Sequence, residues 1–93
     1  MYADNYKIAG HSICIRSLHE EVQRLCTEYR TSDPAELTVE TTQADIVFER
    51  ERSAREDEFE GIPTREFTDS YLETLAVYRK ICANLLDSDI LLF

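Results

Sequence analysis

YKIAGHSICI, residues 6–15, is the stretch that decides the fold. Apolar residues alternate with polar or small ones on both sides of Gly10, and this alternation is typical of two half-buried strands. Glycine at the first turn position fits a type II′ turn, so a two-residue turn is predicted at Gly10 and His11. The cross-strand pairs are then Ile8 with Ile13 and Tyr6 with Ile15. All four side chains share one face of this hairpin, although one bulged, continuous strand fits the same pattern.

The segment after the hairpin predicts a helix over residues 19–30. Ser17 and Glu20 have the spacing of a capping box, in which Ser17 is the N-cap and the Glu20 side chain bonds back to its amide. The apolar residues recur at i, i+3, i+4 and i+7, and they are Val22, Leu25, Cys26 and Tyr29. This spacing predicts an amphipathic helix with one buried side.

A short strand and a long helix are predicted next. Residues 37–41, LTVET, alternate and are rich in β-branched side chains, which favours a third strand. Thr42 and Asp45 form a second capping-box pattern at the start of a helix predicted over residues 43–59. Residues 46–48, IVF, fit a continued strand equally well. One side of the predicted helix carries Ala44, Val47, Phe48, Glu51 and Arg55.

The last predicted helix covers residues 71–86 and is apolar on most of its sides. Thr68 or Ser70 is the expected N-cap, and Ser70 with Glu73 forms a third capping-box pattern. A helix that is apolar nearly all round is expected to be central, with neighbours on several sides.

Residues 90–93, ILLF, predict a final strand. The element order is then β-β-α-β-α-α-β. This order indicates an α+β (or α/β) fold with a small mixed sheet and helices packed mainly on one face. Residues 1–93 are expected to form a single domain. Four large apolar side chains at the last four positions suggest a buried strand that originally continued, so the chain is interpreted as the excised N-terminal lobe of a longer protein.

Composition narrows the classes of function. The 19 acidic and 10 basic residues give a net charge of −9, which repels nucleic acid and anionic membrane surfaces. No apolar run reaches the roughly 18 residues that a membrane-spanning helix requires. Cys14, Cys26 and Cys82 are odd in number and lie among apolar neighbours. They are therefore expected to be reduced thiols in a cytoplasmic protein.

No catalytic, cofactor-binding or metal-binding set is predicted for this chain. Two glycines cannot form a phosphate-binding loop. His11 and His19 lack a second His or Cys at ligand spacing, so they are interpreted as a turn residue and a surface residue of the first helical turn. Asp87 and Asp89 lack the Gly and the distal Glu of a calcium loop. The acidic run over residues 56–60 is interpreted as a solvated helix end.

Three stretches carry a resemblance to a known family. They are residues 67–81, FTDSYLETLAVYRKI, residues 6–10, YKIAG, and residues 45–52, DIVFERER. Together they resemble the N-terminal region of bacterial kinase-like proteins related to HPr kinase and to ATP-dependent phosphoenolpyruvate carboxykinase. In that family the strand matching residues 89–93 continues into a His-Gly-Ser segment, another strand and a phosphate-binding loop. The resemblance thus implies a parent that binds ATP and a divalent cation beyond Phe93, and no enzyme activity is expected of this chain alone.

The leading hypothesis is a non-catalytic N-terminal domain that packs against, or helps to assemble, the nucleotide-binding domain of the same polypeptide. The interface residues expected from the sequence are Tyr71, Leu75, Tyr78, Cys82, Ile90, Leu91, Leu92 and Phe93. An exposed edge on the last strand also predicts a homodimer. The alternative is a standalone acidic interaction module that binds a basic protein through residues 49–60. A small enzyme with Tyr or Cys chemistry ranks third, because no second member of such a site is visible.

Overall fold

The computed structural model describes residues 1–87, which form a three-stranded sheet and three α-helices. In chain order the elements are β1 (Tyr2–Ile8), β2 (His11–Ser17), α1 (Glu20–Leu25), a 3₁₀ turn (Thr27–Tyr29), β3 (Leu37–Glu40), α2 (Gln43–Glu60) and α3 (Asp69–Asp87). The predicted α+β class and the order of these elements are confirmed. The predicted strand at residues 90–93 lies outside the described residues.

The sheet has the order β1-β2-β3 and mixes two kinds of pairing. β1 and β2 are antiparallel, whereas β2 and β3 are parallel and are joined through α1. Helices α1 and α3 cover one face of the sheet, and α2 packs on α3. The core between the sheet and these two helices consists of Tyr6, Ile13, Ile15, Val22, Val39, Val77, Ile81 and Leu85. The strand pattern therefore buries one face of the sheet, as the sequence predicts.

The hairpin exists, but its predicted register is wrong. The turn residues are Ala9 and Gly10, with φ of 52° and 80°. The observed cross-strand pairs are Ile8 with His11, Tyr6 with Ile13 and Asp4 with Ile15. Positive φ at both turn positions gives a type I′ turn, whose twist matches that of the strands. The observed register differs from the predicted one by two residues, so every side chain stays on the same face of the sheet. The alternation pattern therefore fits both registers equally well.

Replacing Ala9 tests this register. Alanine at positive φ is strained, whereas Asn tolerates that conformation and is favoured before Gly in type I′ turns. We expect Ala9→Asn to raise the free energy of unfolding by up to about 1 kcal/mol, measured by urea denaturation. With the turn at Gly10 and His11, the same change would place Asn inside a strand. A destabilised Ala9→Asn variant would therefore contradict the observed turn.

The start of α1 is stabilised by a residue that is distant in sequence, not by the predicted capping box. Ser17 belongs to β2, where its hydroxyl donates to His19 O (2.8 Å), and Glu20 pairs with Arg24 (3.0 Å). The N-cap is His19, without a side-chain cap. Instead, the amides of Leu18 and His19 donate to the Glu73 carboxylate at 2.7 and 2.9 Å. The capping role predicted for Ser17 and Glu20 is wrong, because Glu73 accepts these bonds from α3.

Glu73 is completely buried and joins three parts of the chain. Besides the two amides, its carboxylate accepts a hydrogen bond from the Thr41 hydroxyl and lies 2.9 Å from His19 Nδ1. Burial raises the pKa of Glu73, but the hydrogen bonds from Leu18, Thr41 and His19 outweigh it and hold the pKa below its ordinary value. The predicted box of Ser70 with Glu73 is therefore wrong, and the N-cap of α3 is Thr68, whose Oγ1 accepts from Tyr71 N (3.2 Å).

The Glu73 contacts predict a specific pH dependence. Glu73→Gln places an amide N–H where a backbone or hydroxyl donor now points, and we expect it to cost about 1–3 kcal/mol of stability at neutral pH. Because the folded pKa of Glu73 is lowered, the contribution of the carboxylate is complete above its ordinary value of 4.5 and is lost as the pH falls through the lowered value. Urea denaturation curves of wild type and variant should therefore converge in acid.

The matched control for Glu73→Gln is Glu20→Gln, at the residue that the sequence pattern assigns to the cap. Glu20 is exposed, so this change should stay within about 0.5 kcal/mol. A larger loss for Glu20→Gln than for Glu73→Gln, or a difference between wild type and Glu73→Gln that does not shrink in acid, would contradict the structural assignment.

Helix α2 begins as predicted, since Thr42 and Asp45 form the capping box with Thr42 N donating to Asp45 Oδ2 (2.7 Å). The strand alternative for residues 46–48 is excluded, because they are helical. The side of α2 that is buried carries Ile46, Glu49 and Asp57. The opposite stripe of Ala44, Val47, Phe48, Glu51 and Arg55 faces solvent. Glu49 and Asp57 can be buried because each pairs with an arginine. Arg79 of α3 pairs with Glu49, and Arg65 in the loop after α2 pairs with Asp57.

Candidate docking surface

An apolar groove of about 470 Å³ lies between α1, α3 and the hairpin turn. Helix α1 contributes Val22, Leu25 and Cys26, and the turn contributes Ile8 and Ala9. The α3 wall consists of Thr74, Val77, Tyr78, Ile81, Cys82 and Leu85. Among residues 1–87, none of those that line the groove is charged. Its volume is typical of binding pockets, and its lining is typical of a surface that another apolar group covers.

The α1 wall is open because α1 is short. The predicted stripe of Val22, Leu25, Cys26 and Tyr29 assumes a helix to residue 30, but α1 ends at Leu25 and a 3₁₀ turn follows. Val22 is buried, whereas Leu25 is 65% exposed and Tyr29 is also exposed. The prediction that all four are buried is therefore wrong. Leu25 remains beside Val22 on the groove wall, where its side chain faces solvent.

The position of α1 is also fixed by a buried polar contact that the sequence analysis missed. Gln23 is buried, and its Nε2 donates to Ile15 O (2.9 Å) and to Ser17 Oγ (3.0 Å). The Tyr6 hydroxyl donates to Gln23 Oε1. Burial raises the pKa of Tyr6 to about 12, so this hydroxyl keeps its proton at neutral pH. An amide at the fourth position of an amphipathic helix gives no sequence signal that it faces inwards.

Four of the predicted interface residues lie along one outward stripe of α3. Tyr71, Leu75, Tyr78 and Cys82 recur at i, i+4, i+7 and i+11, and Tyr78 is 69% exposed. The structure places them beside two different cavities. Tyr78 and Cys82 line the groove, and a hydrogen bond with Cys82 raises the pKa of Tyr78. Tyr71 and Leu75 line a second cavity on the α2 side. The other predicted residues, Ile90, Leu91, Leu92 and Phe93, lie outside the described residues.

The second cavity, of about 220 Å³, is polar and internally paired. Arg79 donates to both oxygens of the buried Glu49, at 2.6 and 3.2 Å. Arg65 donates to the buried Asp57 through its side chain and its backbone N–H, both at 2.8 Å, and these bonds lower the pKa of Asp57. Arg52 pairs with Glu56 at 3.3 Å. The guanidinium groups around this cavity are thus neutralised by carboxylates, which leaves little attraction for a further anion.

The remaining candidate residues do not converge. His11 contacts Glu36 at the start of β2 (3.2 Å), and His19 contacts Glu73 at the start of α1. Cys14, Cys26 and Cys82 are free thiols. Within residues 1–87, no group of three or more His, Cys, Asp or Glu side chains is placed to hold a metal ion. None of the described helices is long and apolar enough to cross a membrane.

Comparison with family models, curated proteins and solved structures finds no match for this chain. The resemblance to kinase-like proteins therefore stays a prediction from the sequence. The surface itself is the strongest functional feature of the described residues.

Proposed function

We propose that this chain is a non-catalytic docking domain whose groove and α3 stripe pack against the nucleotide-binding domain of the same polypeptide. One observation carries the proposal: Tyr78 and Cys82 on the outward stripe of α3 line a groove in which none of the described lining residues is charged. In a chain with net charge −9, an uncharged groove of about 470 Å³ indicates contact with another apolar surface.

The protonation states in the groove support docking over catalysis. Burial raises the pKa of Cys26, and hydrogen bonding raises the pKa of Tyr78. Both groups are therefore neutral at pH 7, whereas a nucleophilic thiol or phenol requires a lowered pKa. In the part of the chain that the structure describes, no lining residue is a histidine or carboxylate that could act as a general base.

The resemblance to HPr kinase-like and carboxykinase-like proteins supports the choice of partner. It implies that ATP and a divalent cation bind to the partner domain and not to this one. The three free thiols support a reducing, cytoplasmic location. A homodimer through the strand predicted at residues 90–93 belongs to the same proposal, and those residues lie outside the described part.

The acidic-module alternative is less well supported. It requires residues 49–60 to present their carboxylates to a basic partner. Glu49 and Asp57 are instead buried and paired with Arg79 and Arg65. Two carboxylates of residues 49–60 therefore attach α2 to its neighbours: Glu49 to α3 and Asp57 to the loop after α2.

Domain coupling tests the proposal in the longer polypeptide encoded past the Phe93 codon. We expect calorimetry to show one unfolding transition for that polypeptide, and two for its Leu25→Asp variant, because a buried carboxylate breaks the apolar contact. Leu25 is already mostly exposed, so Leu25→Asp should change the stability of the 93-residue chain by less than about 0.5 kcal/mol. The matched control is Val47→Asp, at a residue on α2 that is 46% exposed and outside the groove.

Three results would contradict the proposal. The first is a stop codon directly after Phe93. The second is an unchanged single transition in Leu25→Asp. The third is MgATP binding by the 93-residue chain in a calorimetric titration, since the proposal assigns ATP to the partner domain.

A further inference from the structure

The walls of the groove restrict the kind of segment that can occupy it. The long wall is α3, whose backbone groups along the groove bond within the helix. The Thr74 hydroxyl on the α3 wall is also engaged, because its Oγ1 donates to Ser70 O (2.9 Å). An extended segment would lose water there without gaining backbone partners. A helix satisfies its own backbone groups, so a helix is the occupant that this groove favours.

The dimensions of the groove suit about three helical turns. Its α3 wall runs from Thr74 to Leu85, which is about 17 Å at the rise of an α-helix. Val22, Val77 and Ile81 are buried and form the floor. Leu25 and Tyr78 are exposed on opposite walls and are placed to contact the sides of an inserted helix. Apolar residues at i, i+3 or i+4, and i+7 of the occupant would then meet the floor.

The charges beside the α1 wall are negative and unpaired. Glu21 precedes Val22, Glu28 follows Leu25 by three residues, and both are exposed. Neither carboxylate forms an ion pair with the described residues. The basic side chains of this segment are already engaged, since Arg24 pairs with Glu20 and Arg30 pairs with Asp4. The rim of the groove therefore attracts positive charge.

A second copy of this chain is a poor occupant for the same reason. A two-fold contact brings the same patch of both copies into one interface, which would then contain Glu21 and Glu28 of each copy without a basic partner. The net charge of −9 adds a general repulsion between copies.

We infer that the groove binds an amphipathic helix with an apolar stripe and basic residues on its flanks. This inference rests on the proposed docking function and specifies the chemistry of the docked element. The apolar stripe provides the affinity, whereas the basic flanks provide orientation and a salt-dependent association rate.

Two synthetic peptides of about 18 residues test the inference, with one leucine pattern and either Lys or Glu at the remaining positions. Fluorescence anisotropy measures their binding to the 93-residue chain, and circular dichroism measures helix gained on binding. We expect the Lys peptide to bind as a helix at least about ten-fold more tightly than the Glu peptide, and this preference should weaken in high salt. Leu25→Asp should weaken binding of the Lys peptide.

Two double variants with the same net charge distinguish the effect of the rim carboxylates on peptide binding from the effect of the overall charge. Glu21→Lys with Glu28→Lys changes the rim, and Glu51→Lys with Glu58→Lys changes exposed sites on α2 by the same net charge. We expect only the first pair to remove the preference for the Lys peptide. Equal effects of both pairs, or equal binding of both peptides, would overturn the inference while leaving docking intact. Failure of both peptides to bind would overturn docking itself.

Discussion

The structure depends on the buried carboxylate of Glu73. It accepts hydrogen bonds from the Leu18 and His19 amides and from the Thr41 hydroxyl, which are 55, 54 and 32 residues away in sequence. These contacts attach α3 to the corner between β2 and α1 and to Thr41, the residue that follows β3. Helix α1 has only six residues and no side-chain cap of its own, so its isolated stability is negligible. Its place beside α3, and hence the groove, depends on this side chain and on the buried Gln23, which bonds α1 to β2.

Helix α3 has charged neighbours on its α2 side and apolar neighbours on its α1 side. On the α2 side, the buried Glu49 accepts a bidentate ion pair from the exposed Arg79, and the neighbouring cavity is lined by paired charges. On the α1 side, the lining is uncharged and Leu25 and Tyr78 stay exposed. Specific polar contacts therefore hold the domain together on one side of α3. Residues 1–87 leave the apolar surface on the other side uncovered, and this division is the physical basis of the docking proposal.

Local patterns predicted the elements, whereas long-range contacts decided the details. The hairpin, the third strand and the start of α2 followed from alternation and from the Thr42–Asp45 capping box. The hairpin register did not follow from the alternation, because a shift of two residues leaves every side chain on the same face of the sheet. The buried face of α2 did not either, because Glu49 becomes buried only through Arg79, 30 residues away. The S-x-x-E pattern at Ser70 likewise indicates a local cap, whereas Glu73 serves α1 instead. For the candidate site, Tyr78 and Cys82 were predicted, but Leu25 was assigned to the core because its helix was expected to be longer.

Amide hydrogen exchange at Leu18 and His19 is the most direct measurement of the central claim, that Glu73 fixes α1 beside α3 and so forms the groove. These two N–H groups precede α1, so neither donates to a carbonyl oxygen within that helix. The account predicts that they exchange as slowly as the amides of β2, through global unfolding, in the wild-type chain. Exchange at the rate of an exposed loop would show that α1 is not held by Glu73, and the groove described here would not be a stable feature of the protein.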